Sequence, residues 1–173
     1  AGFLSLLFSC LLGVNDLSAQ ARVGFVEPRA ILERMPEMRA VQQRLQNFAE
    51  RKSNELAEME GRLQQEIETY QQKIGVISEA ARQQEEERLG QLDLELRQSQ
   101  AQAQQELQQR RAELMAPLLE QIQNSIDAVA QERGLDYVLN TSIQMGDVII
   151  LYVKEEIREQ YDITDAVMRH LGI

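Results

Sequence analysis

Residues 41–79 read VQQRLQNFAERKSNELAEMEGRLQQEIETYQQKIGVISE, and the order of the apolar positions in this stretch decides the fold. Apolar or long-stemmed side chains fall at Val41, Leu45, Phe48, Lys52, Leu56, Met59, Leu63, Ile67, Tyr70, Ile74 and Ile77. The steps run four, three, four and repeat, so positions 41, 52, 63 and 74 share one phase. An eleven-residue repeat corresponds to about 3.67 residues per turn and favours a straight or slightly right-handed coil. Lys52 is the one polar member, and its stem can cover apolar surface.

The pattern returns after a break as Leu92, Leu96, Ala103, Leu107, Leu114, Leu118 and Val129. Two helices of matching period with a short connection pack antiparallel. The connection falls at KIGVISE, with Lys73 in a last turn, Gly75 as a left-handed cap and Ser78 as the next N-cap. With the tip near residue 76, Pro36 faces Pro117 and Gly61 faces Gly90. The prolines mark the root of the hairpin. The glycines weaken both arms at one level and are candidate hinges. At 1.5 Å per residue the arm from Pro36 to the tip is ~57 Å long.

Outward from the hairpin the pattern changes. VGFV, Val23 to Val26, reads as a strand, and EPRAILERM after it as a short helix with Pro28 at its first position. Gly134-Leu135 ends the return helix. Strands are expected at Asp136–Asn140 and Val148–Val153 around a Met145-Gly146-Asp147 turn. DITDAVMRHL closes the chain as a helix capped by Asp162 or Thr164. The run VIILYV has no alternation and so buries both faces of its strand. Two short helices cover one face of such a sheet, and the other calls for a partner. Val23, Phe25, Val148, Ile150 and Tyr152 are therefore the candidate oligomerisation residues. A monomeric sheet sandwiched by residues 28–35 and 163–171 is the alternative. The fold class is α+β, mostly α: a long antiparallel helical hairpin projecting from a small β-sheet body. The body takes residues 22–36 and 117–173, and the hairpin residues 37–116.

The opening AGFLSLLFSCLLGVNDLSAQA carries an apolar run from Phe3 to Leu12, about half of the ~20 residues that a span needs. Ala19-Gln20-Ala21 follows as an A-x-A site, so residues 1–21 are expected to be a cleaved secretory signal and the exported chain to begin at Arg22. An uncleaved anchor, a buried segment and a lipoprotein box at Leu7–Cys10 are the alternatives. Cys10 is the single cysteine, which leaves the rest of the chain without disulfide, thiol nucleophile or Cys metal site. Removing residues 1–21 removes one charge, Asp16, and leaves 18 basic and 27 acidic groups. That balance argues against binding nucleic acid or anionic lipid through bulk electrostatics. The chain of 173 residues has no Trp, four Phe and four Tyr, too little aromatic material for a thick globular core.

No catalytic constellation is visible. His170, the single histidine, lies in a last helical turn, where a cation complements the dipole. No phosphate loop occurs, so neither ATP nor any other cofactor is expected. Glu85-Glu86-Glu87 point in different directions on a helix and read as a solvated face. Tyr70 and Met59 lie on the hendecad stripe and read first as hairpin core. Ile74, Val76 and Ile77 have few neighbours at a tip to cover them. With Tyr70 they are the candidate contacts for another polypeptide.

VGFVEPRAILERMPEM (23–38), ELMAPLLEQIQNSIDAVAQERGLDYVLN (113–140) and YDITDAVMRHLGI (161–173), in this order around a hairpin, resemble the OmpH/Skp family of periplasmic chaperones. The resemblance implies a jellyfish-like homotrimer, with a β-barrel-like body and three helical tentacles around a cavity. It also implies that unfolded outer-membrane proteins are held there without ATP. The best-known members are basic and carry a proposed lipopolysaccharide site of Lys and Arg. Residues 37–134 here hold 12 basic and 18 acidic groups, so that site is not carried over. Two functions remain open from the residues: a holdase chaperone for unfolded outer-membrane proteins, and a structural envelope protein or adaptor that docks through its coiled-coil hairpin. An enzyme is not expected, nor is stable membrane insertion of the exported chain.

Overall fold

The computed structural model describes residues 21–141 and 152–173. The elements are β1 (Val23–Val26), α1 (Pro28–Arg34), α2 (Glu37–Lys73), α3 (Glu79–Arg133), β2 (Tyr137–Asn140), α4 (Glu155–Tyr161) and α5 (Thr164–Leu171). Pro28 opens α1, where a missing N–H costs nothing. The same residue type ends it, because Pro36 forces Met35 out of the helical region to ψ 126°. Pro36 then serves as the N-cap of α2.

α2 spans 37 residues, ~55 Å. Every expected stripe position on it from Val41 to Tyr70 is buried or half-buried, so the eleven-residue period describes its packing. α3 differs. Over its distal part the half-buried or buried positions include Glu85, Leu89, Leu92, Leu96, Ser99, Ala103 and Glu106, a seven-residue repeat. The expected eleven-residue phase fails at Leu107, which is exposed, while Glu106 turns inward to Lys52. A seam of 3.5 residues per turn drifts in the opposite sense from one of 3.67. The two helices of the arm thus wind unequally about their common seam.

The tip also departs from expectation. Ser78 caps α3, its Oγ accepting from the Ala81 N–H at 3.3 Å. Gly75 is not left-handed: among the described residues only Gly134 and Gly172 have positive φ. The chain leaves α2 with Ile74 still in helical geometry, and Val76 and Ile77 both donate to the Lys73 carbonyl. A turn closed by right-handed residues has no need of glycine's freedom. At Gly134 that freedom is used: φ is +61°, Gly134 N–H donates to Gln131 O and Leu135 N–H to Ala130 O, the paired bonds of a Schellman ending.

The core lies at the root. Val26, Ile31, Met35 and Val41 meet Leu118, Ile122, Ile126 and Val129 of α3 and Ile163, Val167 and Met168 near the C-terminus. Ile31, Ile163 and Val167 have no solvent exposure. β1 and β2 pair in parallel, with Val23 opposite Tyr137 and Phe25 opposite Leu139. Parallel strands need a long crossover, and here the whole hairpin supplies it. On its other edge β1 accepts a third segment, the Ile163 N–H donating to Phe25 O at 2.9 Å. Gly24 suits that close approach, since a Cβ there would lie 3.2 Å from Tyr161 O of the third segment and 2.5 Å from Leu135 Cδ1.

The Asp162 carboxylate accepts from Thr164 N–H, while the Thr164 hydroxyl accepts from Glu27 N–H and so ties α5 to the start of α1. α4 was not anticipated. Its Glu155 and Glu156 occupy the first turn, where carboxylates complement the helix dipole. Among the described residues no helix is long and apolar enough to cross a membrane. The expected Met145–Asp147 turn and the part of the Val148–Val153 strand up to Leu151 lie outside the described residues, as does the expected signal up to Gln20.

Candidate functional site

Two exposed surfaces gather the residues singled out in the sequence. The first is the tip. Val76 is 86% exposed and Ile74 39%, while Ile77 folds back half-buried. Tyr70 is half-buried one turn below, and its hydroxyl donates to Glu86 at 2.5 Å. Arg82 anchors the turn from α3, one Nη reaching Ile74 O at 3.4 Å and the other Glu79 at 3.3 Å. The tip is therefore a small braced platform from which Val76 and Ile74 project into solvent. Tyr70 belongs to the seam beneath it.

Polar links run down one seam. Arg88 bridges to Glu66, and Lys52 to Glu106 at 2.9 Å. Arg88 holds the Glu66 carboxyl below its ordinary value, and Glu66 with Glu85 holds the Arg88 guanidinium above its own. Lys52 does the same to Glu106, whose hydrogen bond in turn raises the Lys52 ammonium. The hydrogen bond to Glu86 raises the Tyr70 phenol. Between the bridges, the small side chains of Ser99 and Ala103 face Leu56 and Met59 and leave a gap of about 180 Å³.

By this register Gly61 and Gly90 are out of level by about one turn, since Arg88 already meets Glu66. Each is exposed inside an unbroken helix, and a Cβ at either would meet nothing within 4 Å. Pro117 lies inside α3, exposed, where the helix passes from arm to core.

The second surface is the outer face of the two strands. Val26 and Val138 turn toward the core, so Val23, Tyr137 and Leu139 turn away and are exposed. Tyr152 is 80% exposed. Phe25 is already covered within the single chain. Val148 and Ile150 lie outside the described residues. Tyr137 and Leu139 were not singled out in the sequence, although the alternation Tyr-Val-Leu-Asn, with Val138 inward, carried the signal.

Other candidates resolve locally. His170 Nδ1 lies 3.2 Å from the buried Ser125 hydroxyl and ties α5 to α3. Glu85 pairs with Arg88 and Glu86 with Tyr70, so the triple-Glu run is divided between partners. Among the described residues no group of three or more His, Cys, Asp or Glu could hold a metal ion.

No curated protein matches the chain by sequence. It shares its fold with a crystal structure described as an OmpH-like outer membrane chaperone from Caulobacter crescentus. The TM-score is 0.68 at 18% identity, over 87% of this chain and 83% of that one. A family model, Outer membrane protein (OmpH-like), matches residues 22–171. With the strand-bounded hairpin and its root core accounted for by that match, the chain belongs to the OmpH-like family.

Proposed function

We propose that the protein is a periplasmic chaperone which holds unfolded outer-membrane proteins without ATP, in the space between tentacles of a homotrimer. The observation that carries this reading is the 86% exposure of Val76 at the end of an arm ~55 Å long, rooted in a well-buried core. A large apolar side chain kept in water at that distance from the core contributes nothing to folding. It is available to an apolar segment of another chain.

Residues 22–36 and 117–173 form the body in this reading, and residues 37–116 the tentacle. Residues 1–21 direct export and are removed. The outer strand face, with Val23, Tyr137 and Leu139 exposed, is where copies meet, and Phe25, Val148, Ile150 and Tyr152 take part in this reading. The client is gripped by many weak apolar contacts led by Ile74, Val76 and Ile77, and the arms bend at Gly61 and Gly90 to suit its size. The family membership and the shared fold support a chaperone role in general.

The test is suppression of aggregation. The protein, without nucleotide, should keep a urea-diluted β-barrel membrane protein soluble. The triple variant Ile74→Ser, Val76→Ser, Ile77→Ser should hold it less well while sedimenting as the wild type does. Full activity in that variant would remove the tip from the grip. No protection by the wild type would favour an adaptor whose hairpin docks to another coiled coil.

A further inference from the structure

Charge is distributed unevenly along the arm. Its distal part, residues 53–106, holds five Lys/Arg and twelve Asp/Glu. Its proximal part, residues 37–52 with 107–116, holds six Lys/Arg and three Asp/Glu. The sign of the arm thus reverses between tip and root, although the chain as a whole is acidic.

Pairing within the arm sharpens this contrast. Distally, Arg62, Arg82, Arg88 and Arg97 are each bound to a carboxylate of the same hairpin, and Lys73 is the fifth cation, without an ion pair among the described residues. Glu60, Glu68, Glu87 and Glu95 make no ion pair among the described residues and are exposed. Proximally the unpaired cations outnumber the unpaired anions, which are Glu37 and Glu50. Arg39, Arg44, Arg51 and Arg111 are exposed and make no ion pair among the described residues. The distal half has anions to spare, and the root has cations to spare.

Two arms that lie side by side in the same direction set like charge against like. Two arms that lie antiparallel set each root against the other's distal half, and they do so twice, about a two-fold axis. Over a Debye length of ~8 Å a neighbour senses this local pattern rather than the net charge of the chain. The spacing also bears on what fits. Arg44 and Arg51 lie two turns apart on one helix, ~10 Å. Guanidinium groups spread along a line suit a rod with regularly placed carboxylates better than one compact anion, which needs them to converge. From this charge map we infer that the arm is an interaction surface for a second copy of this chain, which docks antiparallel with the arginine collar of each arm on the distal carboxylates of the other. Arms on one body are spread apart by the same pattern that draws opposing arms together.

The experiment is sedimentation velocity of the client-free protein at about 30 mM and about 500 mM NaCl, which bracket strong and weak screening. At low salt the mass should be double that at high salt, with the association midpoint moving at least tenfold in concentration between the two. Arg44→Glu, Arg51→Glu, Arg111→Glu should abolish the doubling, and so should Glu60→Lys, Glu68→Lys, Glu87→Lys. Helical content should be unchanged in both variants. An equimolar mixture of the two variants should restore the doubled species, because each now carries the charge that the other lacks. Association that is indifferent to salt, survives collar reversal or fails to return in the mixture overturns the inference. So does a wild type of constant mass whose collar variant loses an acidic unfolded polypeptide, since the collar would then serve a client chain.

Discussion

Replacing Gly61 and Gly90 together by Ala separates a flexible arm from a merely long one. Both glycines sit in helix interiors, where glycine is about 1 kcal/mol less favourable than alanine. A new Cβ at either site meets nothing within 4 Å, so no packing strain or new contact enters the balance. Gly61 is on α2 and Gly90 on α3, and a Cβ at either touches nothing the other touches, so the effects should add to about 2 kcal/mol. That gain falls on the arm, whereas the core lies at the root. Global unfolding is therefore a poor probe of it, and hydrogen exchange at the amides flanking each site is a good one. An opening that spans both sites, raised by about 2 kcal/mol, slows exchange roughly thirty-fold, and one confined to a single site, raised by about 1 kcal/mol, roughly fivefold. If the glycines are hinges, distance distributions between spin labels at residues 71 and 84 and at the root should narrow as well. Exchange unchanged at both sites would mean that the arm opens elsewhere, with the gap between Ser99, Ala103, Leu56 and Met59 as the next place to look.

Ile163→Ala should destabilise the root by about 2–5 kcal/mol, because the side chain has no solvent exposure and its loss leaves a cavity; chemical denaturation checks this. Gly134→Ala should cost about 1–2 kcal/mol in the same assay, since φ is +61° and a Cβ would lie 2.9 Å from Arg22 Nη2. The seam pairs predict a pH dependence. Glu66 and Glu106 have folded values below their ordinary ones, so their contribution is present above the ordinary carboxylate range and is lost as pH falls through the depressed values. Lys52 and Tyr70 are raised, so theirs is present below their ordinary values and lost as pH rises through the raised ones. Arm helicity by circular dichroism should thus be flat around neutrality and fall in both directions, and Glu66→Gln with Glu106→Gln should flatten the acid limb.

The features legible in the sequence were those set by local chemistry. The stripe from Val41 to Tyr70, the break at Pro36, the cap at Ser78 and the ending at Gly134 each follow from residue type and position, and each stands as read. The features that were missed depend on what a residue meets across the seam. Glu106 turns inward because Lys52 is there to receive it, and the heptad of α3 follows from that partnership as much as from its leucines. Gly75 carries a residue type that suits a left-handed cap, but the tip closes through Val76 and Ile77 donating to one carbonyl. At the candidate site, the exposure of Val76 follows from its place at a turn. The pairing of Phe25 with a C-terminal segment more than a hundred residues away is something no local pattern reveals.

The parallel pairing of β1 with β2 bears on the order in which the chain folds. Val26 and Thr141, joined by hydrogen bonds, are 115 positions apart. Between extended chains, closing a loop of that size is entropically costly and slow. The hairpin between them consists almost wholly of contacts that zip outward from its own tip. Once zipped, it brings the start of α2 beside the middle of α3 near Pro117, and the remaining search shortens to the flanking segments 26–36 and 117–141. Shortening the effective loop about threefold lowers the closure cost by about 1 kcal/mol. The arm is thus the scaffold on which the sheet is assembled, and the strands join last. Arms of different length could serve the same root, provided both helices are lengthened together.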